Sequence, residues 1–88
     1  MTSMGMSPTE VAVSEMWSRI IGAETSSADD NFFDLGGSSN HLMAFLDEVL
    51  TVFGVELDLF DLFTGSFTVA DHARAIDRAR SDKGSVSL

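Results

Sequence analysis

Apolar residues recur at helical spacing in three stretches of this chain, and each stretch carries its own start or stop signal. Ser7, Pro8, Thr9 and Glu10 form a start, with Ser7 as cap, Pro8 where a missing N–H costs nothing and Glu10 at the third helical position of a capping box. Val13, Met16, Trp17, Ile20 and Ile21 follow on one face and Gly22 closes the segment, which predicts a helix over 8–21. Ser38 or Ser39 opens a second helix over 38–53, whose wide stripe runs through Leu42, Phe45, Leu46, Val49, Leu50 and Phe53 to Gly54. Asp58 caps a short piece over 58–63, and Thr68 with Asp71 opens a last helix over 68–80 striped by Val69, Ala73 and Ile76. Alternation over 52–57 is a weak strand signal, too short to require a sheet. The fold class is therefore all-α: a small bundle of three main helices and one short one, with a long first loop.

Residues 1–7 read as a frayed lead-in, 8–80 as the single domain and 81–88 as a disordered tail. A chain of 88 residues has room for one core and no deep cleft of its own. Trp17, Leu46, Val49, Phe53, Phe63 and Ile76 are the expected core. His41 and His72 are expected at the surface or its boundary. The loop over 22–37 lacks helical period, and Phe32, Phe33 and Leu35 are its apolar anchors.

Charge excludes several partners. Residues 1–73 hold Arg19 as their only basic side chain against twelve carboxylates, a net of −11, while the remainder is +2. Such a body repels phosphate backbones and anionic membranes, and suits a basic protein surface. Solubility alone would also explain it. No apolar run spans a membrane and no secretory signal is present. With no cysteine, disulfides and thiolate metal sites are excluded, which is compatible with a reducing, cytoplasmic location.

Catalytic chemistry is scarce. The two histidines come from different helices, without metal-ligand spacing. A relay of Ser39, His41 and Asp34 is disfavoured because residues two apart on a helix point to roughly opposite sides. Gly36, Gly37, Ser38 and Ser39 lack the spaced glycines and lysine of a nucleotide loop. What they offer is a tight turn followed by a serine on the first turn of a helix. Free N–H groups and the positive dipole end there suit a serine that carries a phosphate ester. An ordinary Gly-Gly turn with a serine cap would have the same spacing.

The ten residues from Asp30 to Ser39, Asp-Asn-Phe-Phe-Asp-Leu-Gly-Gly-Ser-Ser, resemble the attachment motif of peptidyl carrier proteins, the thiolation domains of nonribosomal peptide synthetases. The resemblance continues through Phe53 to Leu57 and from Leu62 to Ala70, and covers roughly residues 8–80. It implies an acyl-carrier-like bundle with no catalytic residues. Ser39 would receive 4′-phosphopantetheine derived from coenzyme A, flanked by Asp34, Leu35, Gly36, Gly37 and Ser38. It also implies that the cargo is an aminoacyl, aryl or peptidyl thioester. Expected partners are a phosphopantetheinyl transferase, an adenylation enzyme, and condensation, tailoring or thioesterase enzymes, with the carrier itself a monomer. Geometry favours Ser39 over its neighbour: a capping Ser38 has its oxygen engaged, whereas Ser39 at the first helical position points outward.

Three departures from the family pattern concern partner choice. Asn40 and His41 replace two aliphatics, and imidazole changes charge in the physiological range. The approach to the last helix, Phe63 to Val69, is one residue longer than usual and lacks a proline. Asp47 and Glu48 make the second helix more acidic than many modular examples. With Met43, the residues Asn40, His41, Asp47 and Glu48 form the expected docking face. The chain starts at Met1 and shows no neighbouring domain, which points to a free-standing carrier. An acyl carrier of polyketide type and an unmodified acidic interaction module are the alternatives; a gain in mass on exposure to a transferase separates the carriers from the module.

Overall fold

The computed structural model describes residues 6–24 and 27–85, without the side chains of Asp61 and of residues 82–85. Four helices follow in order: α1 (Pro8–Ile21), α2 (Ser39–Phe53), α3 (Leu59–Phe63) and α4 (Val69–Ser85). Helix α1 packs against both α2 and α4, and the short α3 rests on α4. Local chemistry explains the boundaries. The Ser7–Glu10 capping box forms as expected, and Gly22 and Gly54 end α1 and α2 in the left-handed conformation. Asp58 caps α3 by accepting from the Phe60 N–H.

Helix α4 runs to Ser85, five residues past the expected end and into the segment read as tail. No proline interrupts it, and no glycine occurs before Gly84; Arg78 and Arg80 place positive charge toward its C-terminal half, the end the macrodipole favours for cations. The remaining expectations for residues 1–5 and 86–88 lie outside the described residues. No strand forms over 52–57: Val52 and Phe53 finish α2, and Val55 then turns into the core.

Trp17 is the centre of the core. Its ring meets Phe32 at 5.1 Å, Phe45 at 6.2 Å and His72 at 5.1 Å, all edge-on. Val13, Met16, Leu42, Val49, Val69 and Ile76 are also part of the interior. Four expectations need correction. Leu46 and Phe53 are only partly buried: Leu46 borders an open groove beside α2, and Phe53, in its last turn, is covered by Arg80 at 5.3 Å from its ring. Phe63 is 59% exposed because it shares with Phe60, three residues before it, the outward face of α3, while Leu62 takes the inward one. His72 is fully buried, although its residue type suggested the surface. It falls in register with Val69, Ala73 and Ile76, so helical period carries it into the core.

The long loop is fixed largely through its backbone. Phe32 N–H donates to the Phe67 carbonyl at 2.9 Å, while the carbonyls of Asp30 and Ala28 accept from Val69 and Ala70 N–H. These last two bonds satisfy donors that the first turn of α4 leaves without helical partners. Asn31 and Thr68 form an isolated antiparallel bridge. Phe32 is fully buried and Leu35 partly so, but Phe33 is 47% exposed and lies across Phe67 at 4.8 Å. Phe67 has φ 55°, a conformation that costs a non-glycine residue about 1–2 kcal/mol. Its buried ring, against Phe33, Phe63 and His72, holds it there.

Candidate functional site

The loop delivers the chain to the start of α2 through a turn that tolerates no side chain at two positions. Gly36 has φ 97°, which disfavours any residue with a Cβ. At Gly37 the obstacle is space: an added Cβ would lie 2.5 Å from the Phe32 ring. The Gly37 N–H bonds to the Phe32 carbonyl at 3.0 Å, and the Asn31 side chain accepts from the Phe33 and Asp34 N–H groups. The buried anchor and the tight turn are thus one unit, and α2 begins immediately beyond it.

Ser38 is the N-cap of α2, with extended backbone. Its Oγ accepts from the His41 N–H at 3.4 Å, and its own N–H donates to His41 Nδ1 at 3.0 Å. Ser38 Oγ also lies 3.2 Å from that nitrogen. Histidine thus occupies the capping-box position that glutamate or glutamine usually holds. The sequence pattern did not disclose this role for His41; the signal that could have done so is its three-residue spacing from Ser38.

Ser39 follows at the first helical position. It is exposed, and no hydrogen bond among the described residues uses its hydroxyl. The first turn of α2 contains no acidic residue, so the dipole at its N-terminus is left without an intrahelical counter-charge. A negative ester at Ser39 would sit close to that positive end. The arrangement therefore offers an accessible hydroxyl and an environment suited to an attached phosphate.

The surrounding candidates do not form one cluster. Asp34 and Asn40 are exposed beside the turn, and Leu35 is partly buried beneath it. Met43 is 58% exposed further along α2, followed by exposed Asp47. Glu48 is not a free charge: it pairs with Arg19 of α1 at 2.6 Å. Met43, Leu46, Asp47, Leu50 and Leu57 line an open groove of about 550 Å³ beside α2. No group of three or more metal-ligating side chains occurs among the described residues.

Two groups away from the turn have displaced pKa values. The Ser66 N–H holds the Asp71 carboxyl below its ordinary range, helped by the Ser66 hydroxyl and Arg74. Burial lowers the His72 pKa to about 4, opposed only in part by Asp71.

Residues 11–76 match the family described as the phosphopantetheine attachment site. Over 79 residues, 90% of the chain, 42% are identical to a segment of surfactin synthase subunit 1 of Bacillus subtilis (strain 168). Tyrocidine synthase 3 of Brevibacillus parabrevis is 36% identical over 70 residues, 80% of the chain. The chain spans 2% of the length of the first and 1% of the second. In three dimensions it is similar to a chain from the complex of the phosphopantetheine transferase Sfp with coenzyme A and a peptidyl carrier protein. That match has a TM-score of 0.76 and 28% identity, covering 88% of this chain and 99% of the other. A peptidyl carrier described as a prototype for modular peptide synthetases matches with a TM-score of 0.67 and 32% identity, covering 82% and 93%.

Proposed function

The chain belongs to the phosphopantetheine attachment-site family and is a non-catalytic carrier domain of the peptidyl carrier type, and from this we propose that Ser39 receives the covalent 4′-phosphopantetheine. The observation that carries the assignment is the contrast between adjacent hydroxyls: Ser38 is engaged in the cap of α2, whereas Ser39 is exposed and unengaged. When attached, the group supplies a terminal thiol on which an acyl cargo is held as a thioester, chemistry that a chain without cysteine cannot provide.

The residues fit this group. Glycines at 36 and 37 bring the turn close to Phe32, and the start of α2 provides positive potential for the phosphodiester. Ser39 is the acceptor, and Asp34, Leu35, Gly36, Gly37 and Ser38 shape the turn before it. An enclosed cavity is unnecessary because the cargo is processed in the partners' sites. Those partners are a phosphopantetheinyl transferase, an adenylation enzyme, and condensation, tailoring or thioesterase enzymes of nonribosomal peptide assembly. Asn40, His41, Met43 and Asp47, together with the Arg19-paired Glu48, lie on the side they approach. The carrier acts as a monomer, from the start of α1 to the end of α4. A cytoplasmic location belongs to this reading and suits a chain without disulfides.

Incubation with coenzyme A and a broad-specificity transferase, followed by intact-mass measurement, tests the assignment. Wild type and Ser38→Ala should each gain one phosphopantetheine, with the latter losing about 1 kcal/mol of stability from its missing cap. Ser39→Ala should gain nothing while keeping its helical circular dichroism. A Ser39→Ala protein that still gains the group contradicts the assignment.

A further inference from the structure

The structure places His41 one helical turn from the cap, in contact with Ser38 but not in a hydrogen bond with Ser39. A backbone N–H can only donate, so the Nδ1 that receives the Ser38 N–H carries a lone pair. In the neutral ring the proton is then on Nε2. The Ser38 hydroxyl is occupied from two directions, accepting from the His41 N–H and lying 3.2 Å from Nδ1. Removing the ring acceptor would leave the Ser38 N–H without its partner and release that hydroxyl from one contact. The turn bearing Ser39 would then keep the glycine segment and the Ser38 Oγ cap on the residue-41 N–H, but lose the return bond that closes the box.

We infer that His41 is a positioning residue for phosphopantetheine attachment: by closing a reciprocal box with Ser38, it fixes the first turn of α2 and keeps the neighbouring hydroxyl engaged while Ser39 is presented. This rests on Ser39 being the attachment residue and assigns a role distinct from docking. A docking side chain acts through what the partner touches, whereas a positioning side chain acts through the cap. Any side chain that restores the cap acceptor should therefore restore the function. Glutamine at the third helical position supplies such an acceptor; leucine is apolar and supplies none.

Two measurements on the full chain test the inference. Long-range proton–nitrogen correlation spectra of the wild type should show His41 Nδ1 as an unprotonated, hydrogen-bonded nitrogen and Nε2 as the protonated one at neutral pH. A neutral His41 with its proton on Nδ1 overturns the inference without any variant. For the second, transferase kinetics with coenzyme A are compared for wild type, His41→Gln and His41→Leu, each verified as folded. The glutamine variant should react within about twofold of wild type, and the leucine variant about fivefold more slowly at saturating carrier, the scale of one lost hydrogen bond. Equal rates for leucine and wild type overturn the inference. So do equally slow glutamine and leucine variants, or an effect confined to KM, both of which indicate docking. If wild type takes the group on Ser38, the Ser39 assignment itself fails; normal modification of Ser39 with an insensitive leucine variant removes only the role of His41.

Discussion

His72 shows how a residue's position can override its type. It lies among the rings of Trp17, Phe32, Phe45 and Phe67, with both ring nitrogens lacking hydrogen-bond partners among the described residues. Trp17 presents only its indole from α1, Phe45 its ring from α2, and the loop and α4 approach contribute phenylalanines. Asp71, on the same helix, is the charged group that influences it. Because the folded-state pKa is depressed from 6.5 to about 4, the unfolded chain binds the proton first as pH falls. Stability should therefore be unaffected by this group above pH 6.5 and decline between 6.5 and 4, by about 3 kcal/mol from the linkage. Asp71, whose pKa is lowered, contributes in the same direction but only as pH falls through and below its ordinary value of 3.8. Urea unfolding at pH 7 and pH 5 should show about 2 kcal/mol of this loss in wild type and much less of it in His72→Leu. An identical pH response in both proteins would contradict a buried, neutral His72. Helical period alone made this position legible; reading histidine as polar concealed it.

At the scale of the element, α2 was legible in its ends and not in its width. Ser38 and Gly54 defined its limits, and the cap and stop formed where those residues stand. The apolar pattern could not show which edge of the stripe would find a neighbour. Leu42, Phe45 and Val49 are buried, with Phe45 against Trp17 of α1 and His72 of α4, while Leu46 is partly buried and Leu50 exposed beside the groove. Phe45→Ala should accordingly cost about 3–5 kcal/mol, the range for emptying a buried aromatic site. Leu46→Ala should cost less than the roughly 2–5 kcal/mol of a fully buried leucine, because part of its side chain is already in water. Denaturant midpoints for the two variants check the order; equal losses would mean that both edges of α2 are packed. The loop presents the opposite case. Its anchors were visible as phenylalanines, but Phe32 alone enters the core, and its hydrogen bonds to the approach of α4 depend on backbone geometry that no residue pattern specifies.

For the molecule as a whole, charge was plain from composition, while the pairing of particular charges was not. Arg19 holds Glu48, leaving exposed Asp34 and Asp47 nearer the proposed attachment turn for a basic partner. Attraction of this kind mainly accelerates encounter and is screened over about 8–10 Å at physiological ionic strength. The rate of transferase modification at subsaturating carrier should therefore fall as salt rises, measured against an uncharged substrate analogue as control. A flat response would assign the acidity to solubility alone. No helix among the described residues is long and apolar enough to cross a membrane, and the groove beside α2 is open rather than enclosed. The turn proposed for attachment was the most legible part of the sequence because each of its residues answers to a local constraint. Gly36 supplies the backbone conformation, Gly37 the clearance from Phe32, Ser38 the cap and Ser39 the exposed hydroxyl. Peptide mapping by tandem mass spectrometry of the wild-type chain after transferase treatment tests that division of roles most directly. The phosphopantetheine phosphodiester is expected on Ser39 alone; the same group located on Ser38 would contradict it.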